Sequence, residues 1–254
     1  MNKISPIERI KQSIEIFVNN IYFLTSVIII LLTCSVIFST IQKAMLSTNS
    51  LQWLIFSLAS NLFTMGISLG VSYAIISLVL NKKVSLNTIF QKFDLVPQYL
   101  FASIIFIVVL LIAMLPGLII LLTSIDINSI MEYDVLNSFI NNGKLLNLEF
   151  SSLNTTARIG IICIVIGFSY SYIRLQFYQY GIIHRQLTPI QSLIESVVIT
   201  NNYSLELALL FIILVGINIL GGIFIIGLLF TFPISMISLI KTYLFLLKNN
   251  NQSK

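Results

Sequence analysis

The sequence predicts an all-α integral membrane protein, with six transmembrane helices and three short amphipathic helices at the cytoplasmic face. Three observations predict it: six long stretches are apolar and nearly uncharged, the basic residues fall in alternate gaps between them, and the composition is too apolar for water. Hydrophobic residues make up 57% of the 254 and charged residues only 9%, with a mean hydropathy of +0.99. A soluble fold of that composition lacks the polar surface to cover itself.

In chain order the apolar blocks are 21–41, 51–80, 99–122, 159–180, 205–221 and 222–247. Each meets the ~20-residue requirement for crossing roughly 30 Å of hydrocarbon, the fifth near the lower limit. The second block, rising ~45 Å over ~30 residues, is long enough to tilt or protrude. Blocks five and six meet at Gly221-Gly222, a turn-tolerant pair that predicts a tight helical hairpin. The first block is too long for the apolar region of a signal peptide and lacks a small-x-small cleavage site, so it is expected to be an uncleaved span.

The basic residues set the orientation. With the N-terminus inside, Lys3, Arg9, Lys11, Lys82, Lys83, Lys92, Arg174, Arg185, Lys241, Lys248 and Lys254 lie at cytoplasmic positions, and only Lys43, Lys144 and Arg158 lie outside. Lys and Arg are retained on the cytoplasmic side, so both termini are expected there. The longest outer loop carries Asp126, Glu132, Asp134 and Glu149. The net charge of +5 is scattered at span edges rather than gathered in one stripe, so no nucleic-acid partner is expected.

Amphipathic segments 5–17, 85–93 and 188–200 precede the first, third and fifth spans. Ser5-Pro6-Ile7-Glu8 and Thr188-Pro189-Ile190-Gln191 both read as capping boxes with proline at the first helical position. The apolar series Ile7, Ile10, Ile14, Phe17 and Ile190, Leu193, Ile194, Val197, Val198 keep helical spacing. Ser85 caps a weaker third copy with Leu86, Ile89, Phe90 and Phe93. Aligning Ser5 on Thr188 also pairs Ser13 with Ser196, Ile16 with Ile199 and Asn19 with Asn202, which suggests duplication of a helix-plus-hairpin unit. Such segments anchor in the headgroup layer or form a docking collar for a partner, and Ile199 on the polar face of its helix favours protein contact.

Catalytic chemistry is poorly supplied. His184 is the single histidine, next to Arg185, and neither a glycine-rich phosphate loop, an H-E-x-x-H run nor paired cysteines occur. Cys34 and Cys163 lie inside apolar blocks and read as packing residues. No metal, cofactor or catalytic residue is expected. Arg174 sits about two turns before the end of the fourth span, where an unpaired arginine costs on the order of 3 kcal/mol, so it must snorkel, pair with Glu195, or meet a phosphate. In the second span Ser57, Asn61, Thr64, Ser68 and Ser72 form a small polar stripe beside Gly66 and Gly70, suited to close packing or to lining a path. Pro116-Gly117 and Pro233 are expected to kink or end their helices.

Tyr172-Ile173-Arg174-Leu175, then Thr188-Pro189-Ile190 through Glu195-Ser196, then glycine-rich spans ending near Pro233 resemble bacterial membrane-protein families that include the membrane domain attached to glycerophosphodiester phosphodiesterases. Pro116-Gly117 adds to the likeness, which covers about half the chain. The sequence departs from that pattern at His184-Arg185, where the families place an acid, at Ser192 and Val197, and in the outer loop from Asp126 to Arg158. The resemblance implies architecture without catalysis, because the phosphodiesterase is a separate soluble domain. The expectation is therefore a non-enzymatic scaffold or accessory subunit that binds lipid or a membrane or cytoplasmic protein, with Arg174, Glu195, Pro116, Gly117, Pro189, Ser196 and Pro233 as structural or partner-binding candidates. A transporter or channel for a small or lipid-like solute is the alternative.

Overall fold

The computed structural model describes residues 5–45, 50–124, 154–224 and 227–252. Among them every regular element is helical: α1 (Pro6–Asn19), α2 (Ile21–Met45), α3 (Leu51–Val79), α4 (Val96–Ser124), α5 (Thr155–Leu175), α6 (Tyr178–Arg185), α7 (Pro189–Thr200), α8 (Ser204–Ile223) and α9 (Leu228–Gln252). Two 3-10 turns, Leu86–Phe90 and Phe93–Leu95, connect α3 to α4. Six of the described helical stretches are long and apolar enough to cross a membrane, in the six places the sequence indicates. Most of the acidic loop from Asp126 to Arg158, expected on the outer side, lies outside the described residues.

The chain divides into two compact units, residues 1–103 with 173–254, and residues 104–172. In the first unit α1 lies along α9, α2 pairs with α3, and α9 also touches α2 and α3. Phe17, Leu24, Ile67, Val71, Ile75, Leu207, Leu210, Ile237 and Ile240 are buried there. Ser13 reaches α9 directly: the Ser238 hydroxyl donates to Ser13 Oγ at 2.9 Å, while Ser13 donates to the Arg9 carbonyl at 2.7 Å. Arg9 lies over the Phe245 ring, 4.3 Å from its centroid. Burial pulls the Arg9 guanidinium below its ordinary pKa against the opposing pull of Glu8, and it remains a cation at any physiological pH.

α3 ends in a Schellman motif. Leu80 caps the helix, and Asn81 follows in the left-handed region at φ 57°. The Lys82 amide then donates to the Ser77 carbonyl and the Asn81 amide to the Leu78 carbonyl, both at 2.9 Å.

The segment expected to be an amphipathic helix at 85–93 is instead the two 3-10 turns folded against α3. Gly70 lets the Ile89 carbonyl approach so closely that no Cβ fits between them, and Gly66 does the same for the Phe93 ring. The glycines of the second-span stripe therefore receive a connecting segment rather than a neighbouring long helix, and Thr88, Ile89 and Leu95 are buried.

The α8–α9 turn also differs from expectation. Gly221 and Gly222 both lie inside α8, and the chain reverses after them, where the Gly227 amide donates to the Phe224 carbonyl at 2.6 Å. Gly221 supplies closeness instead, because a Cβ there would collide with the Thr231 side chain of α9. The Asn218 amide joins the same pair of helices by donating to Ser235 Oγ at 2.7 Å.

In the second unit α4 and α5 pack through small residues. A Cβ on Gly117 would sit 2.6 Å from the Ile164 nitrogen and 2.7 Å from the Gly160 carbonyl oxygen, so the backbones meet without side chains between them. Asn154 ties the helix ends together: its Oδ1 accepts from the Ala157 amide at 2.7 Å and its Nδ2 donates to the Ser124 carbonyl at 2.8 Å. Pro116 does not end its helix, and neither does Pro233, since α4 and α9 run through them.

Candidate functional site

Four of the residues singled out by sequence gather where α5, α6 and α7 meet. α5 ends at Leu175 and α6 begins at Tyr178, which leaves a break at Gln176 and Phe177 whose backbone groups need partners. α7 supplies them. The Ser196 hydroxyl donates to the Arg174 carbonyl at 2.7 Å and accepts from the Phe177 amide at 3.2 Å, so one side chain bridges both sides of the break. Thr200 Oγ1 lies 3.3 Å from the same carbonyl and donates to the Ser196 carbonyl at 2.7 Å. Ser196 and Thr200 are fully buried.

Pro189 opens α7 at the first helical position, after Thr188. The expected capping box is present, with the Thr188 amide donating to Gln191 Oε1 at 3.3 Å. At α1 the corresponding box does not form: Ser5 makes no side-chain cap, and Glu8 accepts from Gln12 instead.

The Arg174 side chain is buried and donates from Nη2 to Asn201 Oδ1 at 2.9 Å. Glu195 is not its partner. Glu195 pairs with Arg185 from the end of α6, and its second oxygen accepts from the Tyr243 hydroxyl at 3.1 Å. Gly181 brings the helices together here, since a Cβ would lie 3.3 Å from Ser192 Cβ. Phe177, Tyr180 and Tyr243 form a buried aromatic cluster, with His184 edge-on to Tyr243 at 6.3 Å between ring centroids. The sequence marked Arg174, Glu195, Ser196 and Pro189 but missed Asn201, Arg185 as the ion-pair partner, and Tyr243. Tyr243 arrives from a distant stretch of chain and leaves no local signal, whereas Arg185 was legible as a cation at a helix end.

Pro116 and Gly117 belong to the second unit, and Pro233 is buried in α9 away from this junction's hydrogen bonds. α1 and α7 present equivalent faces. Ser13, like Ser192 and Ser196, is buried against protein, while Ile7, Ile14 and Val18 on α1 and Ile190, Ile194 and Val198 on α7 stay uncovered. Ile199 is buried within the chain itself, so it does not face outward as a docking collar would require.

The polar stripe of α3 borders an open cleft of about 300 Å³, where Trp53, Ser57, Asn61, Met65 and Leu100 form much of the wall. Asn61 Nδ2 donates to the Ser57 carbonyl at 2.7 Å, so part of its polarity is spent within its own helix. Among the described residues no three His, Cys, Asp or Glu side chains gather as a metal site. Compared with known proteins, the chain matches no family model, no curated protein and no solved structure.

Proposed function

We propose that this chain is a multi-pass protein of the bacterial cytoplasmic membrane, with both termini cytoplasmic, acting as a non-enzymatic scaffold or accessory subunit that binds lipid or a protein partner. The observation that carries this reading is the use made of Ser196 and Glu195. The polar side chains that would be the material of an active site are spent on closing a helix break and tying α6, α7 and α9 together. The uncovered aliphatic faces of α1 and α7 support their placement in the headgroup layer, serines toward protein and isoleucines toward lipid. The likeness to membrane domains attached to glycerophosphodiester phosphodiesterases is part of the same proposal and contributes architecture alone.

Topology is tested with impermeant maleimide on intact cells, using single cysteines at Lys11, Ser47, Lys83 and Lys248 after Cys34 and Cys163 are changed to serine. Only the Ser47 position should label. Labels on Lys11 and Lys83 from opposite sides would remove the orientation.

The cleft beside Ser57 and Asn61 favours a second reading, a transporter or channel for a small or lipid-like solute. Flux in proteoliposomes separates the two. Saturable uptake of any solute class would replace the scaffold with the transporter, and its absence across classes would favour the scaffold.

A further inference from the structure

A separate cleft of about 500 Å³ opens where α1 meets α2 and where α3 ends, lined by Asn20, Phe23, Leu78, Asn81, Lys82, Lys83 and Val84. Its chemistry is divided. Lys82 and Lys83 are adjacent, exposed cations, and the ion pair among the described residues lies elsewhere, at Arg185 and Glu195. The Asn20 and Asn81 carboxamides add neutral donors, with one Asn20 N–H engaged by the Ile16 carbonyl at 3.0 Å. Phe23, Leu78 and Val84 supply an apolar wall. The lysines follow directly on the Schellman motif of α3, so the backbone of Asn81 and Lys82 is held by hydrogen bonds to Leu78 and Ser77.

We infer that this cleft binds the phosphate of an anionic glycerophospholipid, with Lys82 and Lys83 on the phosphate and Phe23, Leu78 and Val84 against the glycerol and upper acyl chain. A cleft of this size takes a headgroup with the start of its chains. Soluble phosphate offers the same charge but nothing for the apolar wall. The cleft also lies at the terminus of two long apolar helices, the level at which lipid phosphates sit. This assignment rests on the membrane reading above and makes its lipid ligand specific.

The test is native mass spectrometry of the full-length protein in detergent, titrated with phosphatidylglycerol or phosphatidylcholine. Changing both lysines to glutamine (K82Q/K83Q) should weaken phosphatidylglycerol retention roughly 25-fold, since each lysine near an anionic surface is worth about a factor of five. Phosphatidylcholine retention should hardly change, and neither should phosphatidylglycerol retention by K11Q/K248Q, which removes two cations outside the cleft. Equal losses in the two double variants, or none in K82Q/K83Q, would overturn the site. Displacement of phosphatidylglycerol by millimolar inorganic phosphate would overturn the lipid assignment. An unchanged melting temperature in K82Q/K83Q shows that the variant is folded, and K82E/K83E should abolish retention. A protein that passes the maleimide test but ignores phosphatidylglycerol loses this inference alone.

Discussion

Ser13 and Ser238, far apart in sequence, share a buried hydroxyl-to-hydroxyl hydrogen bond of 2.9 Å that fastens α1 to α9. Neither residue is measurably exposed, so the contact has no room for a larger side chain. Ser13→Leu should therefore cost about 1–3 kcal/mol through overpacking, whereas Ser13→Ala should cost about 1 kcal/mol for the lost hydrogen bond. Melting of the purified protein in detergent measures both. Equal, negligible shifts would mean that α1 is not docked through this face.

The pairing of Glu195 gives a sharper test. Arg185→Glu should be partly rescued by Glu195→Arg, with a coupling of about 0.5–1 kcal/mol because Arg185 is 43% exposed. Arg174→Glu should not be rescued by the same second change. If the Arg174 reversal were the one rescued, the geometry of this junction would be wrong.

Gly70 and the Ile89 carbonyl leave no space for a methyl group. Gly70→Ala should push the 3-10 turns away from α3 and raise tryptic cleavage at Lys92, which is half-buried with its ammonium over the Tyr73 ring. Cleavage unchanged from the unmodified protein would show that this segment is held by other contacts.

In the second unit Gly117→Leu should destabilise the α4–α5 pair by about 1–3 kcal/mol, because the new side chain meets backbone rather than flexible atoms. The Arg185–Glu195 coupling should be unaffected, as separate sites add independently. Thermal unfolding of the single variant and of its combinations with the two charge changes reads both quantities.

What the sequence disclosed follows the range of the interactions involved. The six long helices were legible because composition alone sets them, and Pro189 and Thr188 marked the start of α7 because capping acts within a few residues. Turn positions were harder. Gly221-Gly222 has the composition of a turn, yet Gly221 is needed inside α8 for closeness to Thr231, and the reversal waits until Gly227. Leu86, Ile89, Phe90 and Phe93 have the spacing of an amphipathic helix, but docking on Gly66 and Gly70 favours two tighter turns. At the α5–α7 junction Ser196 and Glu195 were visible and their partners were not. An arginine in an apolar run announces that it needs company, while its hydrogen bond to Asn201 rather than Glu195 joins residues 27 positions apart and leaves no local signal.

The bridge made by Ser196 sets an order of events during synthesis. A ribosome that has released α5 and α6 but not yet α7 leaves the Arg174 carbonyl and the Phe177 amide without the hydroxyl that serves them both. Those two groups must find other partners until the eleven residues from Gln186 to Ser196 emerge, so the break between α5 and α6 is closed only once α7 has arrived.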